Sequence, residues 1–364
     1  MVDLSVLWKV SELGQSIWCD FISRELIDSG GLLDMVSQGV RGVTSNPAIF
    51  RKSIGEGQEY DGPISAFSRA GLSTEEIYEE LVLDDVGRAA DILLPVFQTT
   101  GGLDGYVSLE VDPRLADDRD GTVEQAVRLK KLLGRPNVMI KIPATEAGIA
   151  AIEQATSLGI SVNATLIFSL DQSRKVNQAY IGGLEKRLAR GEDVSSVRSV
   201  ASLFVSRLDS ALDPVLEAKG LGSMVTCSGV DNARLAYSGW GDVFSSSRWD
   251  ALADKGACPQ RMLWASTGTK SQSYRDTFYV EELMGPYTVN TVPPATMKAF
   301  MDHGVVEDRI GRDLDGAVSR REAMADSGID LDQVTSSLMD QGVSAFVSAF
   351  DDLMGAIKTK ASLS

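Results

Sequence analysis

The chain holds one histidine in 364 residues, His303, and it sits in a polar turn after a helical stretch. A solvated setting of that kind argues against a zinc centre or a histidine-based catalytic triad. Cysteine is scarce as well. Cys19, Cys227 and Cys258 are odd in number and far apart, which fits a reducing cytoplasm better than a disulfide framework. No apolar stretch reaches membrane-spanning length, and the N-terminus lacks the basic and apolar regions of a signal peptide. Basic residues are outnumbered, 35 Lys and Arg against 51 Asp and Glu, for a net charge of −16. That deficit speaks against nucleic acid or an anionic membrane as partner, since both require a basic face. It does not exclude a small anionic substrate, because a few local cations dominate a cleft. Internal repeats and low-complexity segments are absent too. No strand is followed by Gly-x-Gly-x-x-Gly, and Gly268-Thr269-Lys270-Ser271 lacks the upstream glycine of a P-loop.

What is present is a large apolar fraction, 43%, patterned as short strand-like runs between longer amphipathic stretches. Eight runs read as strands, at residues 16–22, 42–46, 105–111, 138–144, 161–168, 199–205, 261–267 and 287–292. Helical periodicity lies between most of them, at 121–133, 146–157, 170–190, 206–219 and 232–244. Eight strands with intervening helices predict an α/β chain of the (β/α)8 TIM barrel type, with an open doubly wound sheet as the alternative. Residues 1–364 are read as one barrel domain, with helical insertions at about 51–97 and 222–260 and a helical tail over about 305–364. In that tail Leu338, Val343, Phe346, Phe350 and Leu353 share one side, a face that packs on the barrel or on a second copy in a homodimer.

Lys141 is the anomaly. It stands in Val138-Met139-Ile140-Lys141-Ile142-Pro143-Ala144, where an ammonium is costly unless paired or deprotonated. A neutral lysine amine is a nucleophile for carbonyl carbon; an edge-strand lysine in water is the plainer reading. Strand parity separates the two, because alternate side chains share a face. Lys141 and Met139 oppose Ile140 and Ile142, and Ser108 and Glu110 oppose Val107, Leu109 and Val111. Asn163 and Thr165 oppose Val162, Ala164 and Leu166; Trp18 and Asp20 oppose Ile17 and Cys19. Thr44 and Asn46 oppose Val43, Ser202 and Phe204 oppose Leu203 and Val205, and Trp264 and Ser266 oppose Leu263 and Ala265. In a barrel the apolar set meets the helices and the other set points inward.

One inward lysine beside an Asp, a Glu, two Asn, a Thr and two Ser reads as a reaction centre. Burial near a cationic cluster lowers a lysine pKa from ~10.4 and frees the amine. Glu110 and Asp20 supply two carboxylates for proton transfer in separate steps. Asn46, Asn163 and Ser202 suit the hydroxyls of a polyol. Arg207 and Lys270, with Ser266, form a cationic mouth for a phosphate, although Arg207 also has Asp209 nearby in sequence and Lys270 also suits a solvated loop. The set as a whole suggests Schiff-base chemistry on a sugar phosphate.

Six motifs in order carry a resemblance that runs from about residue 16 to beyond residue 293. The segments at 42–50, 108–115, 140–145 and 161–168 resemble the transaldolase family, and so do 201–207 and 264–270, the last in the variant of its longer bacterial branch. The resemblance implies transfer of a dihydroxyacetone unit from sedoheptulose 7-phosphate or fructose 6-phosphate to an aldose phosphate, with no cofactor and no metal. By position, Lys141 would form the Schiff base, and Glu110 would act through a water held by Thr165. Asp20 would take the C4 hydroxyl proton. Asn46, Asn163 and Ser202 would hold the three-carbon unit, and Arg207, Ser266 and Lys270 the phosphate. Gly268 departs from the family, many of whose members carry an arginine there, so Lys270 is assigned that role. Phe204 stands where related aldolases have a tyrosine, and an apolar ring resembles the transferase. A cleaving fructose 6-phosphate aldolase, or a barrel that binds sugar phosphate without catalysis, are the alternatives.

Overall fold

The computed structural model describes residues 5–269 and 274–363. Eight parallel strands close into a barrel in chain order: β1 (Gln15–Cys19), β2 (Gly42–Thr44), β3 (Tyr106–Glu110), β4 (Val138–Pro143), β5 (Val162–Ile167), β6 (Ser199–Phe204), β7 (Arg261–Ala265) and β8 (Thr288–Val292). Closure is made by β1 against β8, in register from Gln15 opposite Thr288 to Cys19 opposite Val292. All eight predicted strands are present, each shortened at one end or both, and β1 begins one residue earlier than expected, at Gln15. Strand residues are buried on both faces, as parallel sheets covered by helices require.

Two apolar layers result. Ile17, Cys19, Val43, Val107, Leu109, Ile140, Ile142, Val162 and Ala164 belong to the outer cluster with the surrounding helices. Cys19 thus packs outward, and burial and the Asp20 charge push its thiol up to about 12. Trp18, Tyr106, Met139, Val200, Leu263 and Val289 form an inner cluster. Trp18 leaves room for no side chain at Gly42, where a Cβ would lie 2.5 Å from the indole. Below it Arg261 forms an ion pair with Asp104 at 2.8 Å, and Asp104 also accepts from Ser16 Oγ and Trp18 Nε1. That end of the barrel is plugged.

Parity fails at two places. In β7 Trp264 joins the outer cluster while Leu263 and Ala265 face inward, the reverse of the expectation. Met262, Leu263, Trp264 and Ala265 are apolar on both faces, so hydrophobicity carries no parity there. In β5 the register shifts between Ala164 and Ile167, and Leu166 adopts φ 58° and joins the cluster of Phe168 and Phe204 instead of Val162 and Ala164.

The segment after β2 is helical, as expected: Pro47–Glu56, Asp61–Arg69 and Thr74–Thr99. The segment before β7 contains Ser228–Val243 and Ser247–Ala253. The tail forms Leu314–Asp326 and a 32-residue helix, Leu331–Ser362. The last helix lies against the three helices after β2, burying Leu353 and Ile357 completely. Its Phe350 ring meets Tyr78 edge-on at 5.2 Å, and Lys360 pairs with Asp61. Among the described residues no helix is long and apolar enough to cross a membrane.

Replacing Asp104 by Ala leaves the Arg261 guanidinium buried without its counter-ion, a loss of about 3–5 kcal/mol by the usual cost of breaking such a pair. Urea unfolding should show it; a loss below ~1 kcal/mol would mean water reaches this end of the barrel.

Candidate active site

The opposite end of the barrel is polar. Lys141 and Glu110 are neighbours across the β3–β4 ladder, and Lys141 Nζ stands 3.4 Å from Glu110 Oε2 with both side chains nearly excluded from solvent. The amine also donates to the Ser45 carbonyl at 3.1 Å, on the turn that follows β2. Asp20, just past β1, accepts from Thr44 Oγ1 at 2.7 Å, and Thr44 Oγ1 lies 2.5 Å from Thr291 Oγ1 of β8. Strands from both sides of the closure therefore position this carboxylate.

Burial dominates the electrostatics. It raises Glu110 to about 7, with Lys141 opposing the shift and Asp20 adding to it. It raises Asp20 as well, against the Thr44 hydrogen bond and the Lys141 charge. Both Glu110 oxygens and Thr165 Oγ1 are buried without a hydrogen-bond partner among the described residues. These are acceptors and a donor available to a small polar molecule.

A cavity of about 140 Å³ opens beside the amine. Asp20, Thr44, Asn46, Lys141, Thr165, Ser202, Phe204, Arg207, Ser266 and Thr291 contribute to its wall, as do Ala48, Ala265 and Phe346. Asn46 caps the helix Pro47–Glu56, its Oδ1 accepting from Ile49 N at 3.0 Å, which leaves the NH2 group for a ligand. Asn163 is placed differently from the other polyol candidates. Fully buried, it accepts from Ser202 Oγ at 2.6 Å and donates to Ser108 Oγ at 3.0 Å, so it sits behind Ser202 instead of in the wall.

Arg207 follows β6 at the start of the helix Ser206–Ala218, and burial lowers its pKa from the ordinary value. It is not held by Asp209, which accepts from Gly229 N and Tyr279 Oη. Among the described residues Arg207 has no ion pair, and its guanidinium lies 5.4 Å from the Phe204 ring. Ser266 reaches the cavity by a route that parity does not describe: it has left β7, takes φ 57°, and its Oγ lies 2.8 Å from Ser206 Oγ. Lys270 lies outside the described residues. His303 is exposed, between Asp276 and Asp302 and away from the cavity wall.

Thr291 and Phe346 are wall residues that sequence reasoning passed over. Thr291 was within reach, since parity along β8 pairs it with the inward set. Phe346 was visible only as one member of an apolar helix face.

The sequence model of the family described as transaldolase/fructose-6-phosphate aldolase matches residues 17–357. The chain belongs to that family. It is 46% identical over 370 residues to a protein of Nostoc punctiforme named transaldolase 2, with 97% of each chain covered. A transaldolase of Thermobifida fusca is 46% identical over 358 residues, again with 97% of each covered. A transaldolase of Neisseria gonorrhoeae is 44% identical over 354 residues, covering 97% of this chain and all of that one. The transaldolase-family resemblance and the TIM barrel read from the sequence are both borne out. The chain is a transaldolase-family enzyme, a transferase.

The raised Glu110 carboxyl links stability to pH. A carboxyl raised from 4.5 to about 7 on folding contributes stability that is complete below about 4.5 and lost as pH rises through about 7. Wild type should therefore lose stability relative to Glu110→Gln between pH 5 and 8, read as urea midpoints. A constant difference across that range would mean that Glu110 titrates normally.

Proposed function

We propose that this chain is a transaldolase that carries a dihydroxyacetone unit from sedoheptulose 7-phosphate or fructose 6-phosphate to glyceraldehyde 3-phosphate or erythrose 4-phosphate through a Schiff base on Lys141. The observation that carries the reading is the buried amine, 3.4 Å from Glu110 and in one cavity wall with Asp20. Lys141 attacks the ketose C2 carbonyl. A carboxyl raised to about 7 is partly protonated near neutrality, so Glu110 is suited to give its proton, by way of a water bound to Thr165, to the departing carbinolamine hydroxyl. Asp20 takes the C4 hydroxyl proton as the C3–C4 bond breaks, and the shortened aldose phosphate leaves. The electron pair of that bond is held as an enamine on Lys141 until the acceptor aldehyde arrives and the steps reverse.

Asn46 and Ser202 hold the three-carbon unit, with Asn163 fixing Ser202 from behind. Arg207 and Ser266, with Lys270, bind the phosphate at the start of a helix, whose positive end also favours an anion. Phe204 in the wall supports transfer over simple cleavage, since an apolar ring orders no water beside the enamine. The chemistry draws on side chains alone and calls for no metal or cofactor. The reading places the enzyme in the cytoplasm, in the non-oxidative pentose phosphate pathway, as one barrel domain over residues 1–364 and compatibly with a homodimer. A net charge of −16 supports the exclusion of nucleic acid as partner.

Borohydride reduction in the presence of fructose 6-phosphate should fix a three-carbon adduct on Lys141, located by peptide mass; an unmodified Lys141 would sink the catalytic reading. Lys141→Ala should abolish turnover while leaving the fold intact, read by circular dichroism. Product formation from fructose 6-phosphate should depend on added erythrose 4-phosphate, and equal turnover without it would favour the aldolase. Arg207→Ala should raise KM for the sugar phosphate about 10- to 100-fold, the loss of charge-assisted bonds to a phosphate.

A further inference from the structure

The C-terminal helix Leu331–Ser362 lies outside the strand-and-helix repeat, yet its Phe346 forms part of the cavity wall. The ring centre stands 5.6 Å from Lys141 Nζ, and the residue is 5% exposed. Phe204 lines the same cavity from β6 and is tilted against Phe168, ring centres 5.2 Å apart. The amine thus has an aromatic wall on the barrel side and an aromatic roof on the tail side.

A specific contact sets the height of that roof. Gly342 and Phe346 are four residues apart on one helix, hence on one face. At Gly342 a Cβ would lie 3.0 Å from Leu166 Cδ2, and Leu166 is itself fully buried and held at φ 58° by the irregular end of β5. Absence of a side chain at 342 lets the helix settle onto Leu166, and that approach carries Phe346 down into the cavity. Farther along, Phe350 is fixed between Tyr78 and Arg114, whose guanidinium is 4.8 Å from its ring. Gln172 Nε2 reaches Met339 Sδ one turn before Gly342. The roof is packed in place over this span by side chains of the barrel and its insertion.

We propose that Phe346 is a positioning residue that keeps water from the lysine-bound three-carbon unit, so that the enamine survives until the acceptor arrives. This rests on the Schiff-base reading above. The competing reaction is hydrolysis. The enamine takes a proton at its former C3 and becomes an iminium; water adds at C2 with loss of a proton; the C–N bond of the resulting carbinolamine breaks, and free dihydroxyacetone leaves with the amine of Lys141 regenerated. Only the second step consumes water, and a ring seated over Nζ excludes water from that carbon while contributing no competing hydrogen bond. In this role Phe346 moves no proton.

The test is a partition ratio. With fructose 6-phosphate as donor, release of free dihydroxyacetone is measured against transfer to erythrose 4-phosphate, for wild type, Phe346→Ala, Phe346→Leu and Gly342→Ala. Phe346→Ala should raise hydrolysis relative to transfer by about tenfold or more. Phe346→Leu, apolar and bulky, should restore most of the wild-type ratio. Gly342→Ala, which leaves the ring intact but crowds Leu166 beneath its helix, should move the ratio in the same direction as Phe346→Ala. If both rates fall together and the ratio stays constant in all three, the ring is a packing residue and the proposal is overturned. If Phe346→Ala does not fold, Gly342→Ala carries the decision: a moved ratio supports the roof and an unmoved one overturns it. Borohydride trapping on wild type is run alongside: no adduct on Lys141 removes the Schiff-base reading itself, whereas a normal adduct with an unmoved ratio removes only the roof.

Discussion

Two carboxyl groups and an amine share the polar end of a closed barrel, and most of what surrounds them follows from the difficulty of putting them there. Burial disfavours charge on each carboxyl, and the nearest relief is the Lys141 amine, 3.4 Å from Glu110. Adjacent strands of the ladder supply that closeness directly, with Glu110 opposite Lys141. Asp20 comes from the strand that closes the barrel and obtains its hydrogen bond from the next strand, at Thr44. A sheet with free edges would expose one of these groups to water and relax its titration. Closure keeps them dry, and burial raises both carboxyls above the ordinary carboxylate range.

The apolar end provides the rigidity this requires. Trp18 fills the barrel against Tyr106, ring centres 6.4 Å apart, and Arg261 with Asp104 seals the rim beneath. Buried ion pairs of this kind add little net stability over an apolar plug but penalise any slip of register that separates them. Polar groups at one end and bulky side chains at the other divide the inward face by depth: reactive side chains at or just past the strand ends, packing side chains before them.

Much of this was legible because parity in strands is strict wherever the two faces differ in chemistry. Glu110, Lys141, Thr165 and Ser202 alternate with Leu109, Ile140, Ala164 and Leu203; the last three of the polar set line the cavity, and Glu110 stands behind it against Lys141. β7 was illegible for the complementary reason, since its residues are apolar on both faces and nothing but side-chain size distinguishes Trp264 from Leu263. Asn163 lies on the expected face but deeper than the cavity wall, because its hydrogen bonds run to Ser108 of β3 on one side and Ser202 of β6 on the other. Phe346 lay beyond sequence reasoning altogether. An apolar helix stripe records that something is covered and not what, and this one covers the helices after β2 along most of its length and the reaction centre at a single residue.

Backbone strain at the mouth has the same origin. Leu166 and Ser266 both have φ near 57°, in the left-handed region that costs a non-glycine residue of order 1 kcal/mol. Each lies where a strand stops being a strand. At 266 the turn swings a hydroxyl into the cavity next to Ser206, which an extended continuation would have sent to the helix layer. At 166 it moves a leucine out of the outer core and under Gly342. Regular strands alternate and therefore deliver only every second residue to the inside; consecutive residues reach the site only where the alternation is broken. Ala265 and Ser266 are consecutive and both line the cavity, and so the irregularity after β7 is what allows a small apolar wall and a phosphate-facing hydroxyl to come from one strand end. The strain is tolerated because the closed ladder behind it leaves the chain no other path.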